Sequence, residues 1–289
     1  MNEAHEVETY TAKRLDQYVV ELFPEMSRSF AARLIENGKV LVNGKPVLKA
    51  GYKLKQNDIV RVAYTSEEAQ QIPEIDLPVL YEDDDCVVID KPVGILTHSK
   101  GAFNPEATVA TWLRSRIKGM EGERAGIVHR LDRATSGVMI CAKTPEALSW
   151  LQKQFSQRKT KKTYNALIVG SLKPEEAIID MPIERNPKKP QTFRVGSNGK
   201  PAKTHYKMLE TGKQYSLVEL KPETGRTHQL RVHLKHLGRP IVGDVLYGGQ
   251  EADRLYLHAL SLELTLPNRE RKVFYATLPE SFYKRLRNE

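Results

Sequence analysis

The chain is predicted to be an α+β protein: a mixed, largely antiparallel sheet in a large domain, preceded by a small basic α+β domain. Three observations predict this. Runs of branched residues recur at strand length, as in Cys86-Val87-Val88-Ile89 and Val138-Met139-Ile140-Cys141-Ala142. Helical and strand patterns do not alternate regularly, which argues against a parallel βαβ sheet. Between Thr65 and Pro78 the chain turns polar, with Ser66-Glu67-Glu68 and two prolines, the mark of a linker. The expected division is therefore 1–64, a linker over 65–78, and 79–289, which suits a chain of 289 residues.

In the first domain, Leu15, Tyr18, Val19 and Leu22 share one helical face. Ser27 can cap a second helix carrying Phe30, Leu34 and Ile35, which Gly38 ends. Asn43-Gly44 predicts a tight hairpin after Val40-Leu41-Val42. Arg28, Arg33 and Lys39 are left outside, where they suit a phosphate backbone.

In the second domain, Ile127-Val128 and Val138–Ala142 read as buried strands. Thr144 caps a helix with Pro145 at its first position and Leu148, Leu151 and Phe155 on one face. Strands follow at Tyr164–Val169, Thr204–Leu209, Leu217–Leu220, Arg254–Leu257 and Val273–Ala276. Leu230, Leu234 and Leu237 form the buried stripe of a helix stopped by Gly238, with Arg231 and Lys235 as its exposed basic edge.

Lys and Arg outnumber Asp and Glu by 45 to 36, giving a net charge of +9, which favours a polyanionic partner. No apolar run approaches the roughly 18 residues that cross a bilayer, and the first residues lack a signal peptide's apolar region. The expectation is a cytoplasmic protein with no membrane partner. Cys86 and Cys141 sit in apolar strands and read as core residues. His228, His233 and His236 are poorly spaced to converge on one ion, so no metal is expected.

The chemistry concentrates in His129-Arg130-Leu131-Asp132-Arg133-Ala134-Thr135-Ser136-Gly137, where one carboxylate lies among cations between two apolar runs. Asp132 is the candidate catalytic group, presented where the sheet reverses. Alone, such a segment also fits a capped surface turn with solvated arginines. Lys161-Lys162-Thr163-Tyr164 and Thr224-Gly225-Arg226-Thr227-His228-Gln229-Leu230-Arg231 add the cations and the aromatic face that a nucleic-acid pocket needs. Arg226, ahead of its helix, could pair with Asp132 and keep it ionised, or stand as an isolated surface cation.

These segments, with Gly126-Ile127-Val128 before the first of them, Asp90-Lys91-Pro92-Val93-Gly94, and Gly238-Arg239-Pro240-Ile241-Val242-Gly243-Asp244, resemble in order and spacing the RluA-type pseudouridine synthases. Arg14-Leu15-Asp16, Ser27-Arg28 and the Gly38–Gly44 hairpin resemble an S4-like RNA-binding domain. The resemblance implies isomerisation of uridine to pseudouridine in RNA without cofactor or metal. It makes Asp132 the essential carboxylate, Tyr164 the ring stacked on the target base, Arg226 the partner of Asp132, and Arg130 the side chain that fills the gap left by the extruded base. His129, Arg133, Lys161, Lys162, Gln229 and Arg231 are the accompanying candidate RNA contacts. Whether Asp132 attacks sugar or base, or moves protons, stays open.

An S4-like domain is more typical of members acting on large-subunit (23S) ribosomal RNA than on transfer RNA. The expected partner is that RNA, met by a monomer. Residues 185–194 depart from the family pattern, with Lys188-Lys189-Pro190-Gln191-Thr192-Phe193 where another basic cluster is expected. Two rivals remain at this level. A glycosidic hydrolase would need a second carboxylate, and none lies within these motifs. A non-catalytic RNA-binding or ribosome-assembly protein would use the same basic charge.

Overall fold

A computed structural model describes residues 4–6, 13–24, 26, 28–63, 73–98, 106–120, 122 and 124–287. The chain divides into two compact units: Met1–Asp76 with His98–Trp112 and Glu121–Arg124, and Leu77–Thr97 with Leu113–Met120 and Ala125–Glu289. Two segments of the expected second domain thus group with the first unit. Residues 73–78 of the expected linker carry no helix or strand, and its earlier part lies outside the described residues.

The first unit contains α1 (Leu15–Leu22), α2 (Arg28–Glu36) and a sheet of β1 (Ala4–Glu6), β2 (Val40–Val42), β3 (Lys45–Pro46) and β4 (Ile59–Val62), in the order β1-β4-β2-β3. Its core holds the predicted Leu15, Val19, Phe30, Leu34, Ile35, Val40 and Val42, joined by Val60 and Val62 of β4. The hairpin turns at Asn43 (φ 52°) and Gly44 (φ 77°), the left-handed pair such a turn demands. Asn43 also fixes the turn through its side chain, donating to Asp58 and accepting from the Ile59 N–H, each at 2.8 Å. Gly38 (φ 72°) ends α2 as predicted, while the Ser27 cap lies outside the described residues. β1 was not expected.

The second unit is built on a sheet ordered β5-β6-β7-β14-β8-β13-β12-β9, with β15 beside β14. Its members are β5 (Val79–Glu82), β6 (Cys86–Lys91), β7 (Ser136–Ala142), β8 (Lys161–Val169), β9 (Glu176–Asp180), β12 (Lys203–Thr211), β13 (Tyr215–Pro222), β14 (Leu257–Thr265) and β15 (Arg271–Tyr275). A separate hairpin pairs β10 (Ile183–Arg185) with β11 (Phe193–Val195). The short α3 (Val109–Leu113) precedes α4 (Pro145–Ser156), α5 (Gln229–His236) and α6 (Glu280–Arg287).

Every pairing in the large sheet is antiparallel except β7 with β14. That exception sets the start of β7 beside the start of β14, level with Asn165 on β8. It also requires Gly137, whose φ is 115°, because a Cβ there would run into the Ala259 backbone. The central strands are buried on both faces, and α4 packs Ala147 and Leu151 into the core above β7. Thr144 caps α4 by accepting from the Ala147 N–H at 3.2 Å, with Pro145 at the first position.

Two strand expectations need correction. Ile127-Val128 is not a strand, since only Ile127 bridges, to Cys141, and Gly126 turns the chain immediately before. The strand expected at Arg254–Leu257 begins only at Leu257 and runs on to Thr265, because Leu260, Leu262 and Leu264 alternate inward there with polar residues between them. Both cysteines are buried and unpaired.

Candidate active site

The loop carrying Asp132 is pinned from beneath. Thr97 Oγ1 accepts from the Leu131 N–H (3.2 Å) and donates to the Leu131 carbonyl (2.8 Å). Gly94 N–H donates to the Arg133 carbonyl (2.8 Å) and Thr135 N–H to the Asp132 carbonyl (3.0 Å). Fully buried Lys91 donates from Nζ to the carbonyls of Pro92 and Ile95, both at 2.8 Å. Burial pulls the Lys91 ammonium down to about 8, against the pull of nearby Asp132. The backbone is thereby held, and the carboxylate is left as the group facing the cavity.

That cavity, of about 150 Å³, is lined among others by Arg130, Asp132, Lys162, Tyr164, Arg226, His228 and Arg231. Among the described residues, Asp132 is the one carboxylate in its lining. The Asp132 side chain is 23% exposed. Arg231 Nη1 stands 3.4 Å from its Oδ2 and His228 Nε2 3.6 Å from the same oxygen. Arg231 is itself oriented by a two-pronged pair with Asp244, at 2.8 and 2.7 Å, in a fully buried site.

The expected Arg226–Asp132 pair is not present. Arg226 turns its Nε to the Pro201 carbonyl at 3.0 Å and stands where this cavity meets a second, larger one of about 470 Å³. The partner of Asp132 comes from one turn later, because His228 (φ 55°) breaks the backbone direction and α5 then projects Arg231 back to the cavity. Arg231 is consequently buried rather than part of an exposed edge.

His228 is a member that the sequence weighed only as a metal ligand. Its Nδ1 lies 2.8 Å from the Tyr247 hydroxyl, which accepts from the Phe193 N–H at 3.0 Å. In the tautomer with Nδ1 unprotonated, the Tyr247 hydroxyl donates to His228 Nδ1 and an Nε2–H faces Asp132. Desolvation lowers the His228 pKa despite the opposing pull of Asp132, which favours this neutral form.

Tyr164 on β8 is set between β13 and β14, opposite Leu220 and Ala259, with its ring on the cavity wall. Burial, and then the Asp132 charge, push its phenol up, so the hydroxyl stays protonated. Lys162 lines both cavities, and burial followed by repulsion from Arg158 lowers it to about 8.

Two candidate RNA contacts are tied into the fold. Gln229 is buried and bonds Thr224, Arg226 N–H, the Lys203 carbonyl and Thr204, tying α5 to β12. His129 stacks on Phe155 and accepts from the Ile140 N–H, and burial drops its imidazole to about 3. His233 is likewise held by Thr204 and the Met181 carbonyl. Arg130 is exposed at the cavity rim, Arg133 reaches the Gly94 carbonyl at 3.4 Å, and Lys161 pairs with Glu263 at 3.2 Å on the surface. In the first unit Arg33 and Lys39 are exposed, while Arg28 pairs with Asp16 at 2.9 Å. Among the described residues no cluster of His, Cys, Asp or Glu could hold a metal.

A cation-lined cavity with one carboxylate, on this sheet, defines the class of protein. The chain belongs to the RNA pseudouridylate synthase family, whose model matches residues 85–236, and it is an RNA pseudouridine synthase. An S4 domain model matches residues 13–60. Among similar proteins is the ribosomal large subunit pseudouridine synthase D of Yersinia pestis, 39% identical over 94% of this chain and 90% of that protein. The protein of the same description from Xanthomonas campestris is 42% identical over 82% of this chain and 72% of its own length. Among solved structures, human RNA pseudouridylate synthase domain containing 1 matches with a TM-score of 0.61 and 32% identity, over 75% of this chain and 89% of that one.

Proposed function

We propose that this enzyme isomerises uridines of large-subunit ribosomal RNA to pseudouridine, acting as a cytoplasmic monomer with Asp132 as its essential carboxylate. The observation that carries the catalytic role is that, among the described residues, Asp132 is the one acidic side chain in a cavity that Arg130, Lys162, Arg226 and Arg231 also line. The ribosomal target is supported by the two bacterial relatives, each described as a large-subunit pseudouridine synthase D, together with the S4 match. Among the described residues no helix is long and apolar enough to cross a membrane.

In the reaction the N1–C1′ bond breaks, a C5–C1′ bond forms, C5 loses a proton and N1 gains one, so the RNA mass is unchanged. A single carboxylate fits this balance. Hydrolysis would call for a second acid to activate water or protonate the leaving base. The target uridine must first leave its stack, and Arg130 at the rim is placed to occupy the gap. Tyr164 offers a face for the uracil and a protonated hydroxyl.

The test is tritium release from RNA labelled at uracil C5, with wild type and Asp132→Asn on ribosomal and transfer RNA transcripts. The expected result is release from the ribosomal transcript, reduced on the order of 10³-fold or more by the substitution. Release only from transfer RNA would overturn the target, and an active Asp132→Asn would overturn the chemistry.

A further inference from the structure

Beyond the catalytic cavity, the second unit carries a groove of about 620 Å³ between the β10–β11 hairpin, α5 and the turn Val245–Tyr247. Its rim bears Lys189 and Arg194 on the hairpin side and Lys235 and His236 on α5, and among the described residues no carboxylate lines it. Arg194 is already paired, to Glu184 at 2.7 Å, so the two exposed lysines are the charges open to a ligand phosphate. Its floor rests on a small core of Ile183, Ala202, Val232 and Tyr247, with Phe193 and Val195 packed against it. Beside the floor, Val245 and Leu246 are 63% and 41% exposed, an apolar step next to positive charge.

One wall is shared with the active site. Tyr247 lines the groove, while its hydroxyl bonds His228 and its ring lies 4.9 Å from the Arg231 guanidinium. Tyr247 thus stands between the groove and two lining residues of the catalytic cavity, His228 and Arg231. Cations beside an exposed apolar step, in a space of nucleotide size, suit an unpaired nucleotide, with phosphate on the charges and base on the apolar surface.

We infer that this groove binds an unpaired RNA nucleotide flanking the target uridine, with Lys189 and Lys235 on its phosphates and Leu246 against its base. This rests on the reading that the target uridine sits at Asp132. The groove thus gives residues 185–194, which depart from the pattern expected from the sequence, a role through Lys189.

The experiment compares wild type, Lys189→Ala/Lys235→Ala, Leu246→Glu, and the control Lys221→Ala/Lys284→Ala, whose exposed lysines lie on β13 and α6. Steady-state kinetics and filter binding on a 23S ribosomal RNA transcript are measured across salt. Two lost single-strand phosphate contacts lower the salt slope by about 1.4, which at 0.15 M salt raises KM and Kd about tenfold. The groove double variant is expected to show this with kcat unchanged, Leu246→Glu to raise KM likewise, and the control to stay within about twofold of wild type. A groove variant that matches the control, or one that loses kcat at constant KM, overturns the inference. Filter binding reads the groove even if the transcript is not modified, so failure of the proposed target is separately visible.

Discussion

Replacing Arg231 by Met removes the partner of two carboxylates at once, and their burial separates the consequences. Asp244 is fully buried and loses both prongs of its pair. An unpaired buried charge of this kind costs about 3–5 kcal/mol. For a unit of this size that corresponds to a drop in Tm of about 6–20 °C at pH 7. Asp132, more exposed and 3.4 Å from Arg231, loses a longer charge-assisted contact of about 1.5 kcal/mol, or about tenfold in turnover. Adding Asp244→Leu removes the orphaned charge and is expected to restore Tm but not turnover. Thermal melts at pH 7 and tritium release check both arms. A single variant that melts with wild type at pH 7, or a double variant with full turnover, refutes the reasoning.

Two further outcomes follow from the cavity. Tyr164→Phe keeps the stacking face and is expected to leave RNA affinity intact while lowering tritium release about 10²-fold, whereas Tyr164→Ala also weakens binding by about 1–3 kcal/mol. Full turnover by the Phe variant would remove the hydroxyl from the chemistry. The Lys162 ammonium, lowered to about 8, loses its charge as pH rises through that value. RNA affinity of the free enzyme is therefore expected to fall between pH 7 and 9, and Lys162→Ala to remove most of that fall. Equal pH dependence in both proteins would contradict this assignment.

Local signals explain what the sequence predicted well. The α1 and α2 stripes, the Asn43-Gly44 turn, the Gly38 stop and the Thr144-Pro145 start depend on residues a few positions apart, and each formed where expected. Asp132 stood out because its neighbours in the chain are also its neighbours in the cavity. Strand ends were less legible, since β14 is placed by its pairing with β7 and β8 rather than by its own first residues.

The sequence by itself determined the α+β class, the family and the segments that meet at the site. Only the tertiary structure decided which cation serves Asp132. Arg226 and Arg231 are equivalent in charge and close in sequence, and the choice between them rests on the αL backbone at His228 and on Asp244, which holds Arg231 from thirteen residues away. It likewise decided that Gln229 and His129 brace the fold and that Tyr247 fixes His228. Side-chain direction and long-range pairing are set by packing, and residue type and spacing do not encode them.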